Sequence, residues 1–351
     1  MLDKQEVVVL CILVSYILLI VALFVLILQS LPWSRLNSSR FSYLFLFLTA
    51  CSFAHTWYYM LGVFTTSYME YESRVEGDPA RSLLKRIAVW LVDTSLFEEA
   101  WSKACSGAVN WWWSEQICTY TAGPWTVFLF IQGQRYKIKH LWAYMLLGQL
   151  VAISVGSNLF YLAIILSGWQ SRTTKSASFY APPVLSISVL LSLITVANSP
   201  FTNADSFLPN LLLMHILLLV PLMFANHGGE YSIRLSVPYR SLHIVLFSFI
   251  LVLRVKTTLA AIRSTSDSSP LHGFIPFFKS AATVLHSHPA QASLGWDVIW
   301  TSMSFVFWTV LHQGVSLAPF SAFFVSAGVV APWLAASEAE LDQMQYVIKH
   351  E

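Results

Sequence analysis

The sequence predicts an all-α fold, a polytopic membrane helix bundle of about eight transmembrane helices, nine if two adjoining C-terminal runs count separately, plus one interfacial amphipathic helix. Two observations predict it. First, the 351 residues are 56% hydrophobic and only 11% charged, with mean hydropathy +0.62, against a charged share of roughly 25% in soluble domains. A globule with so few charges could not cover its surface, so the bilayer is the expected solvent. Second, apolar runs recur along the whole chain, near 7–29, 41–64, 110–131, 141–167, 182–198, 207–225, 241–261, 297–313 and 317–336. Helices follow, because lipid-exposed backbone must satisfy its own hydrogen bonds. A barrel would instead need segments of about 10 residues that alternate in polarity.

Taken in order, Val7 to Leu28 is too long for the apolar core of a cleaved signal and reads as a first span and signal anchor. The connection 65–109 starts with a loop, "EYESRVEGDPAR". It continues as an amphipathic helix over 81–105, in which Ile87, Trp90, Thr94, Phe97 and Trp101 recur at helical spacing. A second polar connection covers 262–296. The runs 297–313 and 317–336 adjoin closely enough for one broken helix or a tight hairpin, and 337–351 is a short polar tail. The chain is thus one multi-pass membrane domain, 1–351. Short-loop Lys and Arg fall about equally on both sides, so orientation stays open.

Composition and missing motifs narrow the chemistry. A net charge of +2 suggests no nucleic-acid partner. The four cysteines are scattered, without a CxxC pair. No aspartate-rich diphosphate motif, histidine-box set, GxSxG elbow, GxGxxG or P-loop occurs, so no cofactor and no metal are expected.

Ionisable residues within spans are the functional candidates, since each is costly in lipid unless satisfied. Glu115, in "WWWSEQ", shares a helical face with Trp111, Trp112, Cys118 and Thr119, which leaves Trp113 as a lipid-side anchor. By the same spacing Asp297 lies with Trp300, Thr301 and Ser304, His55 with Tyr58 and Tyr59, and His312 with Trp308. A carboxyl in an apolar aromatic pocket keeps its proton and can act as a general acid, while indole and phenol faces stabilise a cation. Glu115 leads as the acid. Asp93, Glu99, Glu230 and Asp297 follow as alternative acids or partners. Trp111, Trp112, Trp300 and Tyr58 are cage candidates, and His55 and Asn158 could orient the acid or take the final proton.

Structural readings compete at each position. "WWW" also fits a headgroup anchor, Ser95 to Glu98 a capping box, and Asp93 a helix cap. Asn158 and Gln149 fit interhelical glue, Arg254 and Lys256 snorkelling cations, and Asp297 a helix-end anion. His215 and His243 read as satisfied core histidines.

The ordered set "DTSLFEEAW", "WWWSEQ", "HLWAYMLLGQLVAISVGSNLFYLA" and "FANHGGEYS" resembles fungal integral-membrane terpene cyclases of meroterpenoid pathways, specifically the ascochlorin and ascofuranone group, over about 40–260. The resemblance implies an endoplasmic-reticulum enzyme that protonates the terminal epoxide of a farnesylated aromatic polyketide and guides the carbocation without metal. Its partners would be that prenylated-aromatic epoxide, membrane lipids and pathway enzymes such as an epoxidising monooxygenase. No catalytic residue is carried over from it. A sterol-type isomerase or other lipid-modifying enzyme would use the same proton chemistry, and a proton-coupled transporter or structural membrane protein would also bury acids and histidines.

Overall fold

The computed structural model describes residues 2–75, 82–168, 180–223, 235–265 and 274–350, and nearly all of them are helical. Helix α1 (Lys4–Ser30) starts at an Asp3–Glu6 capping box and turns mostly outward, burying Ile20, Leu23 and Ile27. Apolar side chains such as Val7, Ile12, Leu18 and Val21 stay uncovered by protein. A helix so apolar on its exposed side needs lipid around it.

Helix α2 (Arg40–Arg74) has 35 residues, about 52 Å at 1.5 Å per residue, which overruns the hydrocarbon core. Its last turns therefore continue through the stretch expected to be loop, as far as Arg74. There they carry the docking contacts for α3 (Leu83–Asp93). Trp90 Nε1 donates to Ser67 Oγ at 3.1 Å, Tyr71 Oη donates to Asp93 Oδ2 at 2.6 Å, and Arg86 pairs with Glu72. The expected single helix over 81–105 is two helices, α3 and α4 (Leu96–Cys105), broken at Thr94 and Ser95. The capping residue is also corrected: Glu99, not Glu98, accepts the Ser95 backbone N–H.

Helices α5 (Ala108–Tyr120) and α6 (Thr126–Tyr136) form one rod through a π-helical turn, Thr121–Trp125. Pro124 forces that turn, since it has no N–H to donate. The Thr126 hydroxyl donates to the Thr121 carbonyl at 2.7 Å across the same turn.

The expected run 141–167 is interrupted. Helix α7 (Leu141–Leu150) stops, Val151 caps it, Ala152 is extended, and α8 (Ile153–Leu166) restarts. Both broken ends find partners on other helices. Tyr16 Oη of α1 donates to the Leu150 carbonyl at 2.8 Å. The Ile153 and Ser154 N–H groups donate to Asp297 at 2.8 Å each. Every residue of α8 is buried, which makes it the central helix.

Helices α9 (Pro183–Asn198), α10 (Ala204–Met223) and α11 (Tyr239–Thr265) follow expectation. A two-residue antiparallel bridge pairs Tyr180 with Pro238 and Ala181 with Val237. The connection 262–296 holds an unexpected helix, α12 (Phe274–Leu285), against α5 and α11. Helix α13 (Pro289–Gln313) starts eight residues earlier than the apolar run suggested, and α14 (Ala327–His350) takes in the short polar tail as helix. Glu340 on α14 pairs with Arg240 on α11 at 2.9 Å. Among the described residues six helices are long and apolar enough to cross a membrane, so the chain is a helical membrane bundle.

Candidate functional site

The α7–α8 break sets the site. Ala152 occupies the N-cap of α8 and has no side-chain acceptor, so the first N–H groups of α8 need an outside partner. Asp297, in the third turn of α13, supplies it with both carboxylate oxygens, and the Thr301 hydroxyl adds a contact to Oδ1 at 3.4 Å. Asp297 caps a helix end, but that of α8 rather than of its own helix. The positive end of α8 and two oriented N–H groups are a strong environment for a carboxylate.

A cavity of about 130 Å³ opens beside this cap, roughly ten times the space one water needs. Its walls are mainly apolar and aromatic: Met60 and Phe64 from α2, Phe97 and Trp101 from α4, Ile117 from α5 and Met214 from α10. Its polar groups include Gln149 at the break, His215 on α10, and Ser293 and Asp297 on α13. Among the described lining residues Asp297 is the one carboxylate. His215 Nδ1 donates to the Leu211 carbonyl at 2.7 Å, which leaves Nε2 as the acceptor nitrogen. Its ring stands edge-on to Trp101 at 6.3 Å.

The leading sequence candidate lies elsewhere. Glu115 is fully buried, as expected, but it is not a lone protonated acid under two indoles. Arg254 Nη1 reaches Glu115 Oε2 at 3.0 Å, and the same nitrogen donates to the Trp112 carbonyl at 2.8 Å. Arg254 Nε donates to the Val325 carbonyl at 2.7 Å. The guanidinium stacks over Trp112 at 4.3 Å. Trp112 thus holds a cation, but a fixed one from the protein. Arg254 does not snorkel, because its neighbours enclose it. Trp111 packs in the main core, and neither indole lines the cavity. Trp113 is no lipid anchor: its Nε1 donates to the Ala281 carbonyl of α12 at 3.1 Å.

The remaining candidates separate. Asp93 and Glu99 are exposed at helix ends, where they bind Tyr71 Oη and the Ser95 N–H. Tyr58 is 71% exposed and cages nothing in the bundle. Trp300 leaves the Asp297 face, and its Nε1 donates to His55 Nδ1 at 3.2 Å in an outward aromatic cluster with Trp296 and Tyr59. Asn158 is fully buried on α8, and neither of its amide atoms has a partner among the described residues. Glu230 lies outside the described residues. Sequence reasoning missed His215 and Trp101 as cavity walls, and the one available signal was their position among apolar neighbours. No group of three or more His, Cys, Asp or Glu is placed to hold a metal among the described residues.

Compared with family models, with curated proteins and with solved structures, the chain matches none.

Proposed function

We propose that the chain is a membrane-bound terpene cyclase of a meroterpenoid pathway in the endoplasmic reticulum. It would act on the epoxide of a farnesylated aromatic polyketide, supplied by an epoxidising monooxygenase. In this reading the bundle spans the bilayer eight or nine times, with α6 and the α7–α8 pair among the spans and α3–α4 at the interface. One observation carries the proposal: an apolar, aromatic cavity with one carboxylate, set on the N-terminus of a broken helix. An apolar wall admits a prenyl chain and keeps water from an early quench. Phe64, Phe97 and Trp101 line the cavity, and aromatic rings stabilise a passing cation.

Asp297 replaces Glu115 as the acid. It gives its proton to the epoxide oxygen, the C–O bond breaks, and the Ile153 and Ser154 N–H groups stabilise the carboxylate left behind. Alkene electrons close the ring on the resulting cation. A carbon-bound proton then passes to His215 Nε2 and returns from there to Asp297, so the substrate is isomerised and both side chains end as they began. Microsomes carrying the protein should convert an epoxyfarnesyl phenol to a cyclised isomer, and Asp297→Asn should abolish it. Turnover of a sterol substrate instead, with the prenyl-phenol untouched, would move the assignment to a sterol-type isomerase.

A second reading has a specific observation behind it. Discontinuous helices whose half-helix ends meet a cavity also build substrate sites in secondary transporters. Proton-coupled uptake by reconstituted liposomes, with no cyclised product, would favour that reading.

A further inference from the structure

Behind Asp297, on the side away from the cavity, α8 and α13 run parallel and are tied at two levels. At one level Asp297 holds the start of α8. At the other, Tyr161 stacks on Trp308 with ring centroids 4.7 Å apart and planes 9° apart. Asn158 sits one turn before Tyr161 on the same face of α8, and Ser304 sits one turn before Trp308 on the same face of α13. Both therefore lie between the two ties. Helix α2 closes the third side: Phe45 packs on Tyr161 and Trp308 at 5.3 and 6.2 Å, and the Thr56 carbonyl accepts from Ser293 Oγ at 3.0 Å. Between those contacts α2 places Ser52, which is fully buried like Asn158 and Ser304.

This seam is polar without being internally satisfied. Asn158 Oδ1, Asn158 Nδ2 and Ser304 Oγ have no hydrogen-bond partner among the described residues. A carboxamide in an apolar interior carries two donors and an acceptor that demand partners. The Ser52 hydroxyl already donates to its own helix at 3.2 Å and has lone pairs left to accept. Three helices thus bring buried donors and acceptors to one seam, on the same two helices, α8 and α13, that the buried Asp297 joins. That combination matches water, which donates and accepts twice, better than an apolar chain or a bare cation.

We propose that the α2–α8–α13 seam is a binding site for ordered water, bridging Asn158 and Ser304 and hydrating Asp297 from behind its cavity face. Asp297 is then wet on one side and dry on the other, so its geometry does not depend on what fills the cavity. Any catalytic benefit rests on the cyclase reading, but the water site does not.

Hydroxyl-radical footprinting of the full chain in nanodiscs, in oxygen-18 water, tests this directly. Radicals form where water sits, so a buried ring beside ordered water is labelled. Phe45 and Tyr161 should be labelled several-fold above Phe277, which is equally buried on α12. Asn158→Leu should lower that label several-fold and lower the thermal midpoint. Label at Phe45 and Tyr161 no higher than at Phe277 would overturn the proposal. So would a higher midpoint in Asn158→Leu, the sign of an amide that had no partner to lose. If that variant does not fold, Ser304→Ala should roughly halve the label, and an unchanged label would count against the site. None of these readings uses turnover, so a failed cyclase assay leaves them intact.

Discussion

Arg254 Nη1 lies 3.0 Å from Glu115 Oε2, with both side chains enclosed by protein. The pair joins α5 to α11, and the Val325 carbonyl brings in the segment before α14. Removing one partner of such a pair leaves an uncompensated buried charge, at a cost of about 3–5 kcal/mol. Arg254→Met should therefore lower the thermal midpoint in detergent steeply. The double variant Glu115→Gln/Arg254→Met should recover most of the loss, because two neutral groups of similar volume can pack. A double variant as unstable as the single one would show that the guanidinium's carbonyl bonds matter more than the ion pair. Glu115→Gln should reduce activity only in step with folded protein.

Asp297→Asn keeps the shape of the side chain but turns an NH₂ toward a backbone N–H. The helix start loses one of its two carboxyl-oxygen acceptors, and a buried N–H left unsatisfied costs about 1–3 kcal/mol. If Asp297 is the acid, turnover should fall by about 10²–10⁴-fold, far beyond the loss of folded protein. Measuring activity per folded molecule separates the two effects. A variant that is only less stable, with normal turnover, would leave Asp297 as a cap alone.

The exterior candidates predict the opposite. Asp93→Asn, Glu99→Gln and Tyr58→Ala each touch groups outside the cavity, so turnover should stay within about two-fold of the parent, as for surface changes generally. A large loss in any one of them would place chemistry at the α2–α3–α4 face instead.

These contrasts mark how far the chain could be read before its fold was known. The length and hydropathy of α1, α9, α10 and α11 are local properties and were legible. The 12-residue α12 was not, because "FIPFFKSAATVL" is too short to register as a span. The α7–α8 break carries no proline or glycine at Val151 and Ala152. It is held by Asp297, 144 residues from Ile153, and such a partner leaves no trace in local pattern. Arg254 failed for the same reason: its carboxylate lies 139 residues away, and without it a cation in an apolar run reads as one that reaches for the surface. Helical spacing correctly put Glu115 inside, but spacing describes one helix and says nothing of what the next helix brings.

Gly156 tests the close packing that the break requires. A Cβ there would come within 2.8 Å of the Tyr144 carbonyl oxygen and 3.2 Å of the Gly148 Cα. Both are backbone atoms, so no side chain can swing aside. Gly156→Ala should push α7 from α8 and destabilise the protein by about 1–3 kcal/mol, read as a lower thermal midpoint. It should also shift the Asp297 cap and reduce ligand binding in the cavity.

The start of α13 should respond to pH. His288 is its N-cap, and Nδ1 accepts the Ala290 N–H at 3.1 Å, which needs the neutral ring. Burial and, second, the charge of Lys103 hold its pKa below the ordinary imidazole value of 6.5, against a smaller opposing pull from Glu70. A depressed folded-state pKa means that the unfolded chain takes up the proton first. The cap's contribution is therefore fully present above pH 6.5 and is lost as pH falls through the folded-state value. Thermal midpoints should hold steady from pH 8 to about 7 and decline below about 6.5, where unfolded imidazole charges. His288→Asn keeps a capping side chain without a titrating group, so its midpoint should decline less over the same range. Equal declines in parent and variant would assign the acid sensitivity to another group.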